Sequence, residues 1–161
     1  MPKGGHVTAG EAVDYALLAA QAEALLSGQG HRIANAANLS ALVYQALPDV
    51  NWVGFYFLEG DSLVLGPFQG KPACVDIPLG SGVCGTAAQT GSVQRVADVH
   101  TFEGHIVCDV DSRSELVVPL IRDGRPIGVL DLDSPKPGRF TASDEAGLVR
   151  IAEIYVESID A

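Results

Sequence analysis

The chain has 161 residues, of which 47% are hydrophobic, so it can bury a core and is not expected to be disordered. Its 20 acidic and 10 basic residues give a net charge of −10, which argues against nucleic acids and anionic membranes as partners, because phosphate binding needs clustered Lys and Arg. No apolar run is long enough to cross a bilayer, and the N-terminal stretch lacks the pattern of a signal peptide. We therefore expect a cytoplasmic protein.

Two helices are predicted at the start of the chain. Thr8 and Glu11 fit a capping box, which predicts a helix over residues 9–26. A second helix is predicted over residues 31–47, because Pro48 follows directly.

The next stretch changes from a helical to an alternating period. Residues 50–70 predict two strands around a turn at 59–61. Alternation along the first strand places Trp52, Gly54 and Tyr56 on one face.

Three shorter elements follow, and two of them carry a cysteine. Residues 73–80 predict a third strand that carries Cys74. Residues 82–91 predict a short helix that carries Cys84 and ends at its glycine. Residues 92–99 predict a fourth strand.

A segment without clear period spans residues 98–114 and contains His100, His105 and Cys108. Long irregular connections in compact domains are usually functional or disordered. The three cysteines of the chain are an odd number without a secretory signal, which is typical of a reducing compartment. A metal site built from both histidines, Cys108 and Cys84 is an alternative, but this spacing matches no standard zinc pattern, and we expect no metal.

The last strands are predicted to form a hairpin over residues 115–134 that carries three acids. Asp131 and Asp133 are two residues apart and share a face. Glu115 stands at the start of the other strand. Adjacent like charges cost free energy unless a cation or a shared proton offsets them, so the acids predict a pocket for a ligand ammonium and a raised pKa for one acid.

The turn of this hairpin decides whether Glu115 joins the other acids. A symmetric two-residue turn at 123–124 would place Glu115 opposite Leu132, on the wrong face. A three-residue loop at 122–124 places it directly opposite Asp131. We therefore predict the three-residue loop.

A final amphipathic helix is predicted to begin after Thr141 or Ser143 and to run to the end of the chain. The order of elements predicts an α+β fold. We expect a single domain with a six-stranded antiparallel sheet, the N- and C-terminal helices on one face, and a ligand pocket under loops on the other.

Three features of the chain occur in combination: NWVGFYF, the spaced cysteines at 74, 84 and 108, and SELVVPLI followed by GVLDLDS. Together they resemble the free methionine-(R)-sulfoxide reductases, which are enzymes with a GAF fold. The resemblance covers about residues 10–158. It implies thioredoxin-dependent reduction of free L-methionine-(R)-sulfoxide to methionine, without a bound cofactor, by a homodimer.

The resemblance also implies roles for the cysteines. Cys108 would be the nucleophile, and Cys74 would be the resolving thiol that forms a disulfide with it. Cys84 would be a third redox thiol, and the choice between Cys74 and Cys84 as the partner of Cys108 stays open. A thiol that attacks the sulfoxide becomes a sulfenic acid, which a second thiol converts to a disulfide.

The remaining site residues suit the same chemistry. Either Glu115 or Asp133 would donate a proton to the departing oxygen, and Asp131 would hold the ammonium with whichever acid stays ionised. Trp52 and Tyr56 would enclose the methyl group. The main alternative is a stand-alone GAF module that binds a small ligand and regulates, which predicts a pocket but gives no reason for paired cysteines.

Overall fold

The computed structural model of the protein describes residues 12–104 and 111–160. The helices in these ranges are α1 (Tyr15–Leu26), α2 (Arg32–Ala46), α3 (Gly82–Thr90) and α4 (Ala142–Ser158), with a short 3-10 turn at Val99–Thr101. The strands are β1 (Trp52–Glu59), β2 (Ser62–Gly70), β3 (Asp76–Pro78), β4 (Gln94–Val96), β5 (Ser114–Arg122) and β6 (Arg125–Ser134). None of the described helices is both long and apolar enough to span a bilayer.

The strands form one antiparallel sheet of six strands in the order β3-β2-β1-β6-β5-β4. The two central strands, β1 and β6, lie far apart in the chain. Their pairing joins the strands β3-β2-β1 to the strands β6-β5-β4 in one sheet. This architecture confirms the predicted α+β fold.

Helices α1, α2 and α4 cover one face of this sheet. Phe55 of β1 pairs with Leu130 of β6, and both side chains are fully buried towards the helices. The ring of Tyr155 from α4 lies 4.6 Å from that of Phe55, measured between centroids. Because side chains alternate along a strand, the neighbours of these core residues must point to the opposite face.

The first helix starts later than predicted. Residues 12–14 are not helical, and the carboxylate of Asp14 accepts the backbone N–H of Leu17 as the N-cap of α1. The predicted start at residue 9 is therefore wrong, because Asp14 satisfies a free N–H group further along the chain. Thr8 and Glu11, the predicted capping box, lie outside the described residues.

The other helix ends agree with the predictions. His31 is the N-cap of α2, whose bounds differ from the predicted ones by one residue at each end. At the start of α4, Thr141 and Asp144 form a reciprocal capping box. Short-range capping chemistry was sufficient to place both ends.

Two of the strands are shorter than predicted. β3 begins at Asp76, so Cys74 precedes the strand instead of lying in it. One backbone hydrogen bond beyond the strand still joins the N–H of Leu65 to the carbonyl of Val75. β4 covers only Gln94–Val96, and Asp98 then caps the 3-10 turn.

The turn between β5 and β6 differs from the predicted three-residue loop. Arg122 pairs with Arg125 around a two-residue turn, and both Asp123 (φ 53°) and Gly124 (φ 76°) adopt the left-handed conformation. The register then shifts by one residue after Pro126, which cannot donate to the ladder.

This bulge decides the position of Glu115. It lies opposite Asp133, instead of opposite Asp131 as predicted. Since Asp131 and Asp133 share a face, Glu115 still reaches the acidic face. The predicted turn was wrong, but the gathering of the acids is confirmed.

Candidate active site

A row of side chains crosses three strands on the face opposite to helices α1, α2 and α4. Trp52 of β1 lies opposite Asp133 of β6, and Asp133 lies opposite Glu115 of β5. In the neighbouring row, Gly54 lies opposite Asp131. The three acids predicted from the sequence therefore lie together, beside the predicted aromatic residue.

An aromatic wall borders this row. The ring centroids of Trp52 and Tyr56 lie 5.8 Å apart, and Phe68 stacks on Trp52 at 5.2 Å. The indole Nε1 donates to the backbone carbonyl of Lys71 over 3.0 Å, which fixes the ring. Gly54 makes room for the ring, because a Cβ at this position would lie 2.6 Å from a Trp52 ring carbon.

A cavity of about 50 Å³ lies between this face and helix α3. As predicted, α3 carries Cys84 and closes at Gly91, which has a φ of 67°. The Ser81 side chain does not cap the helix, so backbone N–H groups of the first turn are free to donate. The described residues that line the cavity are Trp52, Tyr56, Pro72, Ala73, Ile77, Ser81, Gly82, Val83, Cys84, Ser112, Glu115, Asp131 and Asp133.

Cys84, Glu115 and Asp131 form what we call the thiol–acid cluster. Cys84 Sγ donates to Glu115 Oε2 over 3.8 Å, and one ligand atom from each of the three residues lies within 4.8 Å of the other two. All three side chains are buried. Helix α3 and strands β5 and β6 each contribute one member.

The cluster has unusual acid–base properties. Burial raises the pKa of the Cys84 thiol, and the charges of Asp131 and Glu115 raise it further. Burial and then the charge of Asp131 raise the pKa of Glu115, while burial and then the charge of Asp133 raise the pKa of Asp131. The cluster therefore holds protons well above the usual range of carboxyl groups, and Cys84 is a weak nucleophile at neutral pH.

Two buried oxygen atoms in the cavity, Asp131 Oδ1 and Ser112 Oγ, have no hydrogen-bond partner among the described residues. Asp131 is only 4% exposed. Buried polar atoms are nearly always hydrogen-bonded, so both atoms are available to a ligand. No Lys or Arg is among the described residues that line the cavity, which therefore suits a ligand that carries an ammonium group.

The structure also adds residues that the sequence did not indicate. Ser112 stands in the segment without clear period, where no pattern marked it. Ser81 precedes the predicted helix and Gly82 begins it, and a helix N-terminus is a known anion site. That signal was present in the sequence, but only the packing of α3 over the sheet shows that this end lines the cavity.

The cysteines differ in state. Cys74 is in a disulfide, whereas Cys84 is a free, buried thiol. Cys108 and His105 lie outside the described residues. His100 is exposed in the 3-10 turn and does not line the cavity that contains Cys84. The described part of the chain therefore does not bring His100 and Cys84 together, as the alternative metal site requires.

The comparison with known proteins agrees with this geometry. Residues 32–160 match the GAF domain family. A free methionine-R-sulfoxide reductase of Escherichia coli (strain K12) is 58% identical over 134 residues, which are 83% of this chain and 81% of that protein. The chain belongs to the free methionine-R-sulfoxide reductases of the GAF domain family.

Solved structures of this family share the fold of the chain. The reduced form of the Staphylococcus aureus fRMsr superposes with a TM-score of 0.91 at 49% identity, over 96% of this chain and 100% of that one. The free methionine-R-sulfoxide reductase from Neisseria meningitidis, solved in complex with its substrate, gives a TM-score of 0.89 at 41% identity, over 95% of this chain and 93% of that one. The protein is accordingly an oxidoreductase.

Proposed function

We propose that the protein reduces free L-methionine-(R)-sulfoxide to L-methionine by thiol chemistry. The observation that carries this proposal is the cavity in which buried acids, an aromatic wall and a free helix N-terminus face one another. A free amino acid presents an ammonium, a carboxylate and a side chain, and the cavity offers a complementary group for each.

The substrate is oriented by these three contacts. Asp131 and Asp133 hold its ammonium, because Asp131 has a buried oxygen without a partner and Asp133 lies beside it. The first turn of α3 and Ser112 Oγ receive its carboxylate. Trp52 and Tyr56 enclose the methyl group and stabilise positive charge that develops on the sulfur.

Glu115 is the proton donor in this proposal. Burial raises its pKa well above the usual range of a glutamate, which favours the protonated form, and it lies opposite Asp133, beside the proposed position of the substrate. Cys84 donates a hydrogen bond to Glu115 and helps to orient it. A protonated, buried thiol is poorly suited to nucleophilic attack, so we assign Cys84 a supporting role.

The redox steps use Cys108 and Cys74. The sulfur of Cys108 attacks the sulfoxide sulfur, and the sulfoxide oxygen takes a proton. The oxygen is then transferred to the Cys108 sulfur as its bond to the methionine sulfur breaks, and the bond between the two sulfurs breaks with it, so that methionine leaves and a Cys108 sulfenic acid forms. The Cys74 thiol then displaces water and forms a disulfide with Cys108. The oxidised state of Cys74 in the structure, together with the free thiol of Cys84, supports this choice of resolving residue.

The proposal requires an external reductant and includes a homodimer. Thioredoxin, or another dithiol of the reducing cytoplasm, returns the disulfide to two thiols by exchange.

The exposed side chains of Leu17 and Leu25 on α1 support a dimer in which this helix forms the interface. Light scattering of wild type and Leu17→Glu tests the dimer, and a wild-type mass of one chain would refute it.

The decisive experiment measures turnover of free methionine-(R)-sulfoxide with dithiothreitol and with thioredoxin. We expect activity on the free R epimer but not on the S epimer or a peptide-bound sulfoxide, abolished in Cys108→Ser and retained with dithiothreitol in Cys84→Ser. Wild-type activity that survives Cys108→Ser would move the nucleophile elsewhere. A folded, reduced wild type without activity would refute the proposal and favour a regulatory GAF module.

A further inference from the structure

The thiol–acid cluster brings three potential metal-ligand atoms close together, one from each residue. Tetrahedral zinc with bonds of about 2.3 Å to sulfur and about 2.1 Å to oxygen separates these two ligand atoms by about 3.6 Å. The observed distance between Cys84 Sγ and Glu115 Oε2 is 3.8 Å. An oxygen of Asp131 completes a set of three atoms that all lie within 4.8 Å of one another. The pair of Cys84 and Glu115 therefore needs to move by only a few tenths of an ångström, and an atom pair at the 4.8 Å limit would have to close by about 1 Å to form the site, with water or a ligand in the fourth position.

Asp131 provides independent evidence that this part of the cavity is built for a cation. Its side chain is buried, at 4% exposure, and its Oδ1 has no hydrogen-bond partner among the described residues. No Lys, Arg or His is among the described residues that line the cavity. Within the described lining of the cavity the buried acids thus have no cationic side chain, and a cation that entered would gain favourable electrostatic interactions with them.

We propose that the thiol–acid cluster binds zinc or another thiophilic divalent cation, and that the bound metal excludes the substrate. One sulfur and two carboxylate ligands in a buried site favour zinc over magnesium or calcium, which prefer six or more oxygen ligands. Binding transfers no electrons: the cation replaces the thiol proton of Cys84 and any carboxyl protons, and these protons go to the solvent.

Inhibition follows because metal and substrate need the same group. Asp131 is a ligand of the proposed metal site and also binds the substrate ammonium in the proposed function. This part of the inference rests on the proposed function, whereas metal binding itself does not.

The test uses the oxidised protein, in which Cys74 is in its disulfide and Cys84 is free. Cobalt(II) is the first probe, because a thiolate ligand gives tetrahedral cobalt a charge-transfer absorption. We expect one cobalt per chain, displaced by zinc. In Cys84→Ser this band should disappear and zinc affinity should fall at least about tenfold. The exposed Asp76→Asn is the matched control and should bind as wild type.

A second variant keeps the test decisive if Cys84→Ser is poorly folded. Asp131→Asn keeps the thiol and the shape of the side chain but removes one ligand charge, so calorimetry should also show at least about tenfold weaker zinc binding. Wild type that binds no cobalt, or variants that bind zinc as tightly as wild type, would overturn the metal site.

Competition is measured through Trp52, the only tryptophan of the chain. Its fluorescence reports the binding of methionine sulfoxide to the oxidised protein without added reductant. Zinc should raise the apparent Kd of the sulfoxide in proportion to its concentration, and a chelator should reverse this. Cobalt binding without any sulfoxide binding would refute the proposed function alone. Sulfoxide binding that zinc leaves unchanged would overturn the inhibition.

Discussion

Replacing Asp131 with asparagine should make the ligand-free protein gain stability relative to wild type as the pH rises from 5 to 7, although it removes a proposed substrate contact. Asp131 is buried beside Glu115 and Cys84, and burial followed by the charge of Asp133 raises its pKa. A raised pKa means that the folded state binds a proton more tightly than the unfolded state. Between the unfolded and the folded pKa, the folded chain therefore holds more protons, and stability falls as the pH rises.

The size of this effect follows from proton linkage. One group that is protonated when folded and ionised when unfolded lowers the free energy of unfolding by about 1.4 kcal/mol for each pH unit. Between pH 5 and pH 7, above the ordinary carboxyl pKa of about 4, the loss is up to about 2.7 kcal/mol. Asp131→Asn removes this loss. The buried amide adds its own cost, but that cost does not depend on pH.

Urea unfolding of the reduced protein at pH 5 and pH 7 measures the effect. The stability of Asp131→Asn relative to wild type should rise from pH 5 to pH 7, by no more than about 2.7 kcal/mol. Asp76→Asn, at an exposed position on β3, controls for the loss of one negative charge from a chain of net charge −10. A relative stability that is the same at both pH values, or that falls with pH, would refute the reasoning about the cluster.

Three further substitutions test the surrounding structure. Gly54→Ala should displace the Trp52 ring, because the nearest ring atom would lie 2.6 Å from the new Cβ. The KM for the sulfoxide should then rise about tenfold. An unchanged KM and an unchanged tryptophan spectrum would contradict this. Arg139→Met removes the guanidinium that lies 2.9 Å from the buried carboxylate of Asp144, and it should lower the free energy of unfolding by about 3 kcal/mol. A loss below about 1 kcal/mol would show that this ion pair is not needed for stability. Gly124→Ala places a side chain at a φ of 76° and should lower Tm by about 2 to 4 °C, and an unchanged Tm in a thermal scan would argue against a left-handed turn.

Much of the site could be predicted because it depends on local periodicity. The spacing of Asp131 and Asp133 requires a common face once β6 is a strand, and the same holds for Trp52 and Tyr56 on β1. Capping at Thr141 depends on a side chain and a backbone group a few residues apart. These features need no knowledge of distant parts of the chain.

Predictions that depended on pairing between strands were less accurate. The turn at Asp123 and Gly124 has the two residues expected for an Asp-Gly hairpin, and the bulge after Pro126 supplied the register shift that we had assigned to a longer loop. Cys74 lies outside β3, whose pairing with β2 begins only at Asp76. Both outcomes depend on which residues face each other across the sheet, and local spacing does not determine that.

The sequence by itself determined the order and type of the main elements, the shared face of Asp131 and Asp133, the shared face of Trp52 and Tyr56, and the family of the chain, because these follow from local spacing and residue identity. The bulge after Pro126 decided that Glu115 joins the acids. Only the tertiary structure decided that α3 packs over the acidic face. That packing buries Cys84 against Glu115 and Asp131 and leaves Asp131 Oδ1 without a partner among the described residues. Burial and proximity between elements set the pKa values of these groups, and both are properties of the folded chain as a whole.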